Sequence, residues 1–258
     1  MDTNKENTKM WMELSDGKES DWRDCFKICQ RAFQNDPFYT YTHPDPAIRR
    51  EFLKVYFDYL YPAILQDGKG ILVVIKAEDE EGIKIIGGMS VTMYQDEELE
   101  NDHTALLAVD RNGWMKHLRR DDWECETYYE KLQELADKLG TNLMPGVFQI
   151  VDDGYRGKGI GSKFVMQAVQ MMSDEVVKRK RLAGIAKPKP PLAYCICDHE
   201  RSRNFTKKSG FIEVAQLRTN NVGVLGKDTS HIWIFLLPPE DPSWIYEARK
   251  MFVYPSNL

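Results

Sequence analysis

Residues Gly154-Tyr155-Arg156-Gly157-Lys158-Gly159-Ile160-Gly161-Ser162 carry the clearest chemistry in this chain. Glycine lets backbone N–H groups close on an anion with no side chain in the way. An apolar run over 147–151 precedes the loop, and Gly161, Phe164, Val165, Ala168, Val169 and Met172 follow it at helical spacing. A loop that passes from a strand into a helix places its N–H groups at the positive end of the helix dipole, where phosphate is stabilised. Arg156 and Lys158 add positive charge able to move onto such a ligand. The spacing excludes two common phosphate loops. A dinucleotide fingerprint needs G-x-G-x-x-G, and this loop reads G-x-G-x-G with no glycine at the last required place. A Walker loop needs Ser or Thr after Gly-Lys, and Gly157-Lys158 is followed by Gly159. The pattern that remains is Arg156-x-x-Gly159-x-Gly161.

That pattern resembles R/Q-x-x-G-x-G/A, the pyrophosphate loop of the GNAT acetyltransferases. The stretch from Val151 to Gly161 is similar to that family's V-D-P-x-Y-R-G-K-G-I-G, with Asp153 in the proline's place. Arg201-Ser202-Arg203-Asn204-Phe205-Thr206-Lys207-Lys208-Ser209-Gly210-Phe211 resembles its N-x-x-F-Y-x-K-x-G-F segment. Ala32-Phe33-Gln34-Asn35-Asp36-Pro37-Phe38 and His43-Pro44-Asp45 resemble the A-F-x-x-D-P-F opening of one subgroup. The resemblance implies an α/β (α+β) fold, a mixed sheet flanked by helices and splayed open at its fourth strand, here 147–151. It implies that main-chain groups of Gln149, Ile150 and Val151 pair with the pantetheine arm of acetyl-CoA as an added strand would. Arg156, Gly157, Lys158, Gly159, Ile160, Gly161 and Ser162 would hold the pyrophosphate. An acceptor would enter from the opposite side, lined by the two early helices and by an insertion.

Acetyl transfer to an amine needs a group that accepts the amine's proton, a donor to the oxyanion and an acid for the departing thiolate. An N–H near Val151 suits the oxyanion. The family's acid is often a tyrosine, and its position here is Thr206, with Ser202 at the asparagine position. Threonine donates a hydrogen bond but is a poor proton donor, so Tyr155 or Tyr194 is an alternative acid. Asp198 and His199 follow a strand that should end beside the acetyl group; Asp198 is the candidate base, and equally a helix cap. Asp152 is a second carboxylate that would serve as base or orient the loop. Cys195-x-Cys197-x-His199 lacks the paired loops of a zinc site, so no metal is expected. Cys197 as a covalent acyl carrier is the remaining variant. The implied activity is an acetyl-CoA-dependent N-acetyltransferase acting on a primary amine of a small molecule or protein. The rival, favoured by Thr206, is a non-catalytic acyl-CoA-binding sensor or scaffold.

The elements that must position these residues are legible from periodicity. A strand is expected over 11–14, and a helix carrying Trp22, Cys25, Phe26, Cys29 and Phe33 on one face. A second helix is expected over 45–65, a strand over 71–76, a turn over 78–82 and a returning strand over 83–94. Gly87-Gly88 within that strand marks a bulge or a close backbone approach. Residues 95–142 read as a helical insertion between the third and fourth strands, followed after 146 by the strand, loop and helix above. Further strands are expected over 192–197, 211–217 and 231–237, with a short helix over 201–208 and a tail from 238 to 258. The whole reads as one domain over 1–258.

Bulk properties narrow the partners. The chain has 258 residues, 42% hydrophobic, enough for a real core. A net charge of −5 argues against nucleic acid, and no apolar run approaches a membrane span. The basic run 178–181 suits a helix C-terminus. Five cysteines, an odd number, with no signal-peptide pattern point to reduced thiols in the cytoplasm.

Overall fold

The computed structural model describes residues 8–36, 39–40, 43–61, 65, 70–92, 125–197, 200–218, 231–236 and 243–251. In chain order the elements are β1 (Lys9–Leu14), α1 (Glu19–Phe33), α2 (Pro46–Tyr61), β2 (Gly70–Asp79), β3 (Gly82–Thr92), α3 (Cys125–Leu139) and β4 (Leu143–Val151). A 3₁₀ turn (Asp153–Tyr155) leads to α4 (Ile160–Leu182), then β5 (Leu192–Cys197), α5 (Glu200–Lys208), β6 (Ile212–Arg218), β7 (His231–Leu236) and α6 (Ser243–Met251).

The seven strands form one mixed sheet in the order β1-β2-β3-β4-β5-β7-β6, antiparallel except between β4 and β5. That parallel pairing is short: only Leu143, Met144 and Pro145 lie opposite Leu192, Ala193 and Tyr194. Beyond it β4 keeps only β3, through Gly146 to Val151, and β5 keeps only β7, through Cys195 to Cys197. The sheet therefore splays along 146–151. The β3–β4 register skips a residue between Ser90 and Val91, which leaves Val147 as the extra residue of a bulge. Such a bulge bends and twists its strand.

The alternation of apolar residues divides the core between two faces. On one, α4 buries Val165, Ala168, Val169, Met172 and Val176 against Ile71, Val73, Met89, Val91, Met144, Ala193 and Cys197. On the other, α1 and α2 cover β2 and β4 with Trp22, Cys25, Leu53 and Phe57 against Leu72, Val74, Phe148 and Ile150. The rest of that face is covered by α3 and α6, which close Leu132, Leu135, Trp244 and Ala248 over Leu192, Tyr194 and Val214.

Several boundaries differ from expectation. β2 and β3 run on to a tight turn at 80–81, because residues 77–79 extend the ladder and Lys84 pairs with Asp79. α2 ends at Tyr61, and residues 62–64 lie outside the described residues. β4 begins at Leu143, four residues before the expected start, since Pro145 and Gly146 sit where β4 parts from β5 and the ladder on that side ends. Of the expected insertion, 125–139 is helix and 95–124 lies outside the described residues. The stretch read as a tail contains α6, whose Trp244 is 2% exposed. Gly87 and Gly88 satisfy both readings made of them. Ile86 is the extra residue at a register shift, and a Cβ on Gly87 would stand 2.6 Å from the Ile150 carbonyl oxygen. Among the described residues no helix is long and apolar enough to cross a membrane.

Candidate functional site

Asp152, at the end of β4, organises the entrance to the glycine loop. Its N–H donates to the Ile86 carbonyl (2.8 Å), its carboxylate accepts from the Gly154 N–H (3.1 Å) and pairs with Arg31, and its carbonyl accepts from the Tyr155 N–H (2.9 Å). Asp152 thus orients the loop and ties it to the last turn of α1. Gly157 and Gly159 both have positive φ (75° and 72°), the left-handed conformation that glycine alone adopts without strain. A Cβ at either position would meet nothing within 4 Å, so their need is conformational. Gly159 is the N-cap of α4, and its carbonyl accepts the first helical bond, from Lys163 N–H (3.0 Å). The geometry of a first turn leaves the N–H groups of Ile160, Gly161 and Ser162 without intrahelical acceptors, which makes an anion site.

In the fold the two loop cations rest on main-chain carbonyls. Arg156 Nε donates to the Val151 carbonyl (2.8 Å) and the guanidinium pairs with Asp153; Lys158 Nζ donates to the Gly154 carbonyl (2.9 Å). Each fills an orphan carbonyl beside the loop, and both charges remain at its rim. Gly161 also serves packing: a Cβ there would stand 3.0 Å from Phe205 Cε2, so glycine lets α4 close on α5.

The splay opens beside this loop. Peptide groups alternate in direction along a strand. With the Asp152 N–H aimed at β3, those of Val151 and Gln149 aim at the edge that β5 has left, and the peptide groups of Ile150 serve β3. The Ile150 side chain, 3% exposed, packs in the α1–α2 core. A cavity of about 330 Å³ fills the gap, bounded by β4 residues 145–149, β5 residues 194–197, Phe33 of α1, and Ser202, Phe205, Thr206 and Ser209 of α5 or its end. Thr206 is 6% exposed, with Oγ1 3.2 Å from Cys197 Sγ and 4.0 Å from Cys195 Sγ. The Cys195 thiol is pushed well above its ordinary range by its contact with Cys197 and by burial, so it is a thiol rather than a thiolate at neutral pH. Tyr194 lines the cavity, whereas Tyr155 packs outside it between Lys84 and Lys158. Asp198 and His199 lie outside the described residues. Among the described residues no group of three His, Cys, Asp or Glu side chains could hold a metal.

No protein-family model matches the sequence, and no curated protein matches it either. Solved structures do match. The polyamine N-acetyltransferase of Drosophila melanogaster superposes with a TM-score of 0.56 at 15% identity, over 90% of this chain and all (100%) of that one. A mosquito arylalkylamine N-acetyltransferase-like protein gives 0.53 at 16% identity, over 88% of this chain and 99% of that one. An acetyltransferase from Corynebacterium glutamicum gives 0.52 at 16%, over 91% and 98%. The chain has the GNAT fold. The splayed strands and the glycine loop expected of that fold are therefore present together. Sequence reasoning named Phe33 and Phe205 only as core or motif residues, not as part of the cleft, and missed Arg31. Arg31 meets Asp152 across 121 positions of sequence, and no local pattern signals such a pair.

Proposed function

We propose that this chain is an acetyl-CoA-dependent N-acetyltransferase that acetylates a primary amine. One observation carries the reading: β4 loses its β5 partner after Pro145 and runs, open-edged, straight into the N–H-rich loop. An extended pantetheine arm would add to that edge through Gln149 and Val151. The pyrophosphate would lie on the N–H groups of Gly157 to Ser162, with Arg156 and Lys158 at the rim. This arrangement brings the thioester to the cavity beside Thr206 and Cys197. The acceptor enters from the α1–α2 face as the neutral amine and attacks the acetyl carbon. The C–N bond forms, the carbonyl oxygen becomes an oxyanion beside an open-edge N–H of β4, that of Gln149 being the one at the cavity, and the amine proton passes to a base, for which Asp198 is proposed. The C–S bond then breaks, and Thr206 donates a hydrogen bond to the departing thiolate. The subgroup resemblance is kept as part of this reading; Ala32 to Asp36 end α1 and the turn after it, and Pro37 and Phe38 lie outside the described residues.

Residues 1–258 are read as one domain with 95–142 inserted, and the cytoplasm as its compartment, on the strength of the free thiols Cys25, Cys29, Cys195 and Cys197. The second reading, an acyl-CoA sensor, is favoured by the Thr206 hydroxyl, which contacts Cys197 and is a weak acid. Calorimetry with CoA and with ATP tests the shared part of both. CoA binding without ATP binding supports the cleft, and binding of ATP alone removes it.

A further inference from the structure

Among the described residues, the cavity wall facing α1 and α2 is apolar on both sides of the splay. The bulge turns Val147 and Phe148 together toward that face, where Phe33 stands beside them with its ring 5.4 Å from that of Tyr39. Across the gap, Tyr194 and Ile196 occupy the same face of β5, packed under α3 and α6. Pro145 closes the end at which the strands meet. This slot lies on the side from which an amine must approach the thioester. We infer that the acceptor is a monoamine with an apolar alkyl or aryl tail, held between Phe33 and Phe148 on one side and Tyr194 and Ile196 on the other. The inference rests on the acetyl-transfer reading and supplies its substrate class.

Two physical effects select that class. Each methylene moved from water into the slot favours binding, and the transition state with it, by up to about fourfold. Among the described residues the slot lining carries no acidic side chain, so a second ammonium there would be stripped of water against apolar walls with no counter-charge from them, which is strongly unfavourable. The same walls favour the neutral form of the reacting amine, because desolvation lowers the pKa of an ammonium. A slot of this kind therefore helps activate the nucleophile as well as choose it.

The test is kcat/KM for the intact protein with acetyl-CoA and a panel of butylamine, hexylamine, octylamine, phenethylamine, agmatine and spermidine. Efficiency should rise about two- to fourfold per methylene along the alkyl series until the slot is filled. Hexylamine and phenethylamine should exceed agmatine and spermidine at least tenfold. Phe33→Asp, which places a carboxylate in the mouth, should shift the hexylamine-to-agmatine ratio at least tenfold toward agmatine, while Phe33→Leu keeps the parent order. If Phe33→Asp does not fold, the parent panel decides alone. A flat alkyl series, or agmatine or spermidine equal to hexylamine, overturns the inference and leaves acetyl transfer standing. No turnover of any amine in protein that still binds CoA overturns both.

Discussion

Thr206→Val removes one hydroxyl from the floor of the cleft and keeps the branched shape of the side chain. In the fold that hydroxyl lies 3.2 Å from Cys197 Sγ and is 6% exposed, so valine fills the same space between α5 and β5. Loss of a neutral hydrogen bond costs about 0.5–1.5 kcal/mol of stability. For a domain of this size that is a fall of roughly 2–4 °C in Tm per kcal/mol. The catalytic effect should be larger. A hydrogen bond to a charged group is worth about 1.5–3 kcal/mol, and the CoA thiolate gains its charge only as the C–S bond breaks. The expected loss in kcat is therefore about 10- to 150-fold, with the Michaelis constant for acetyl-CoA nearly unchanged. Thr206→Ser keeps the hydroxyl and should retain kcat within a few-fold. The assay is free-thiol release at saturating acetyl-CoA and amine, beside a thermal melt of each variant. A Thr206→Val protein that melts lower but turns over within twofold of the parent would refute the reasoning. Thr206 would then be a packing residue that holds Cys197, and thiolate stabilisation would belong elsewhere.

Three other outcomes are expected. Arg156→Ala should raise the Michaelis constant for acetyl-CoA about tenfold to a hundredfold and leave that of the acceptor nearly unchanged, read from two-substrate kinetics. Gly161→Val must displace the Phe205 ring, 3.0 Å from the added Cβ, and so should lower kcat more than Gly159→Ala, whose cost is about 1–2 kcal/mol of backbone strain in open space; steady-state kinetics of the two variants decides. Burial acts to raise the Glu213 carboxyl, but hydrogen bonds from Arg203 and Lys207 outweigh it and hold it below its ordinary value of 4.5. Its contribution to stability is therefore present above about pH 4.5 and lost as pH falls through the lower folded value, so chemical melts should show Glu213→Gln destabilised at pH 7, with the deficit shrinking as the pH is taken progressively below 4.5.

Helix and strand identities were legible in the sequence wherever one face is buried. Trp22, Cys25 and Cys29 in α1 and the apolar runs of β2, β4 and β5 declare themselves by period. The glycine loop was legible because left-handed positions and a helix start need particular residues at particular places. What stayed hidden depends on partners distant in sequence. The start of β4 at Leu143 was hidden behind Pro145-Gly146, because only β5, met some fifty positions later, shows that a strand may end one ladder there and keep another. The resting partner of Arg156 was hidden, since the Val151 carbonyl that accepts from it is positioned only once the strand has formed. Gly161 looked like an anion-loop residue, and its contact with Phe205 depends on how α4 and α5 cross. The helix α6 carries its evidence in two residues, Trp244 and Ala248, whose burial depends on α3 and β5.

Amine-dependent release of free CoA from acetyl-CoA tests the central claim most directly, with the acetylated amine quantified in the same reaction. The account predicts release and acetylamine formation in equal amounts, saturating in both substrates and weakened by Arg156→Ala through acetyl-CoA alone. Tight CoA binding with no amine-dependent release across chemically diverse amines would contradict it and leave a binding domain.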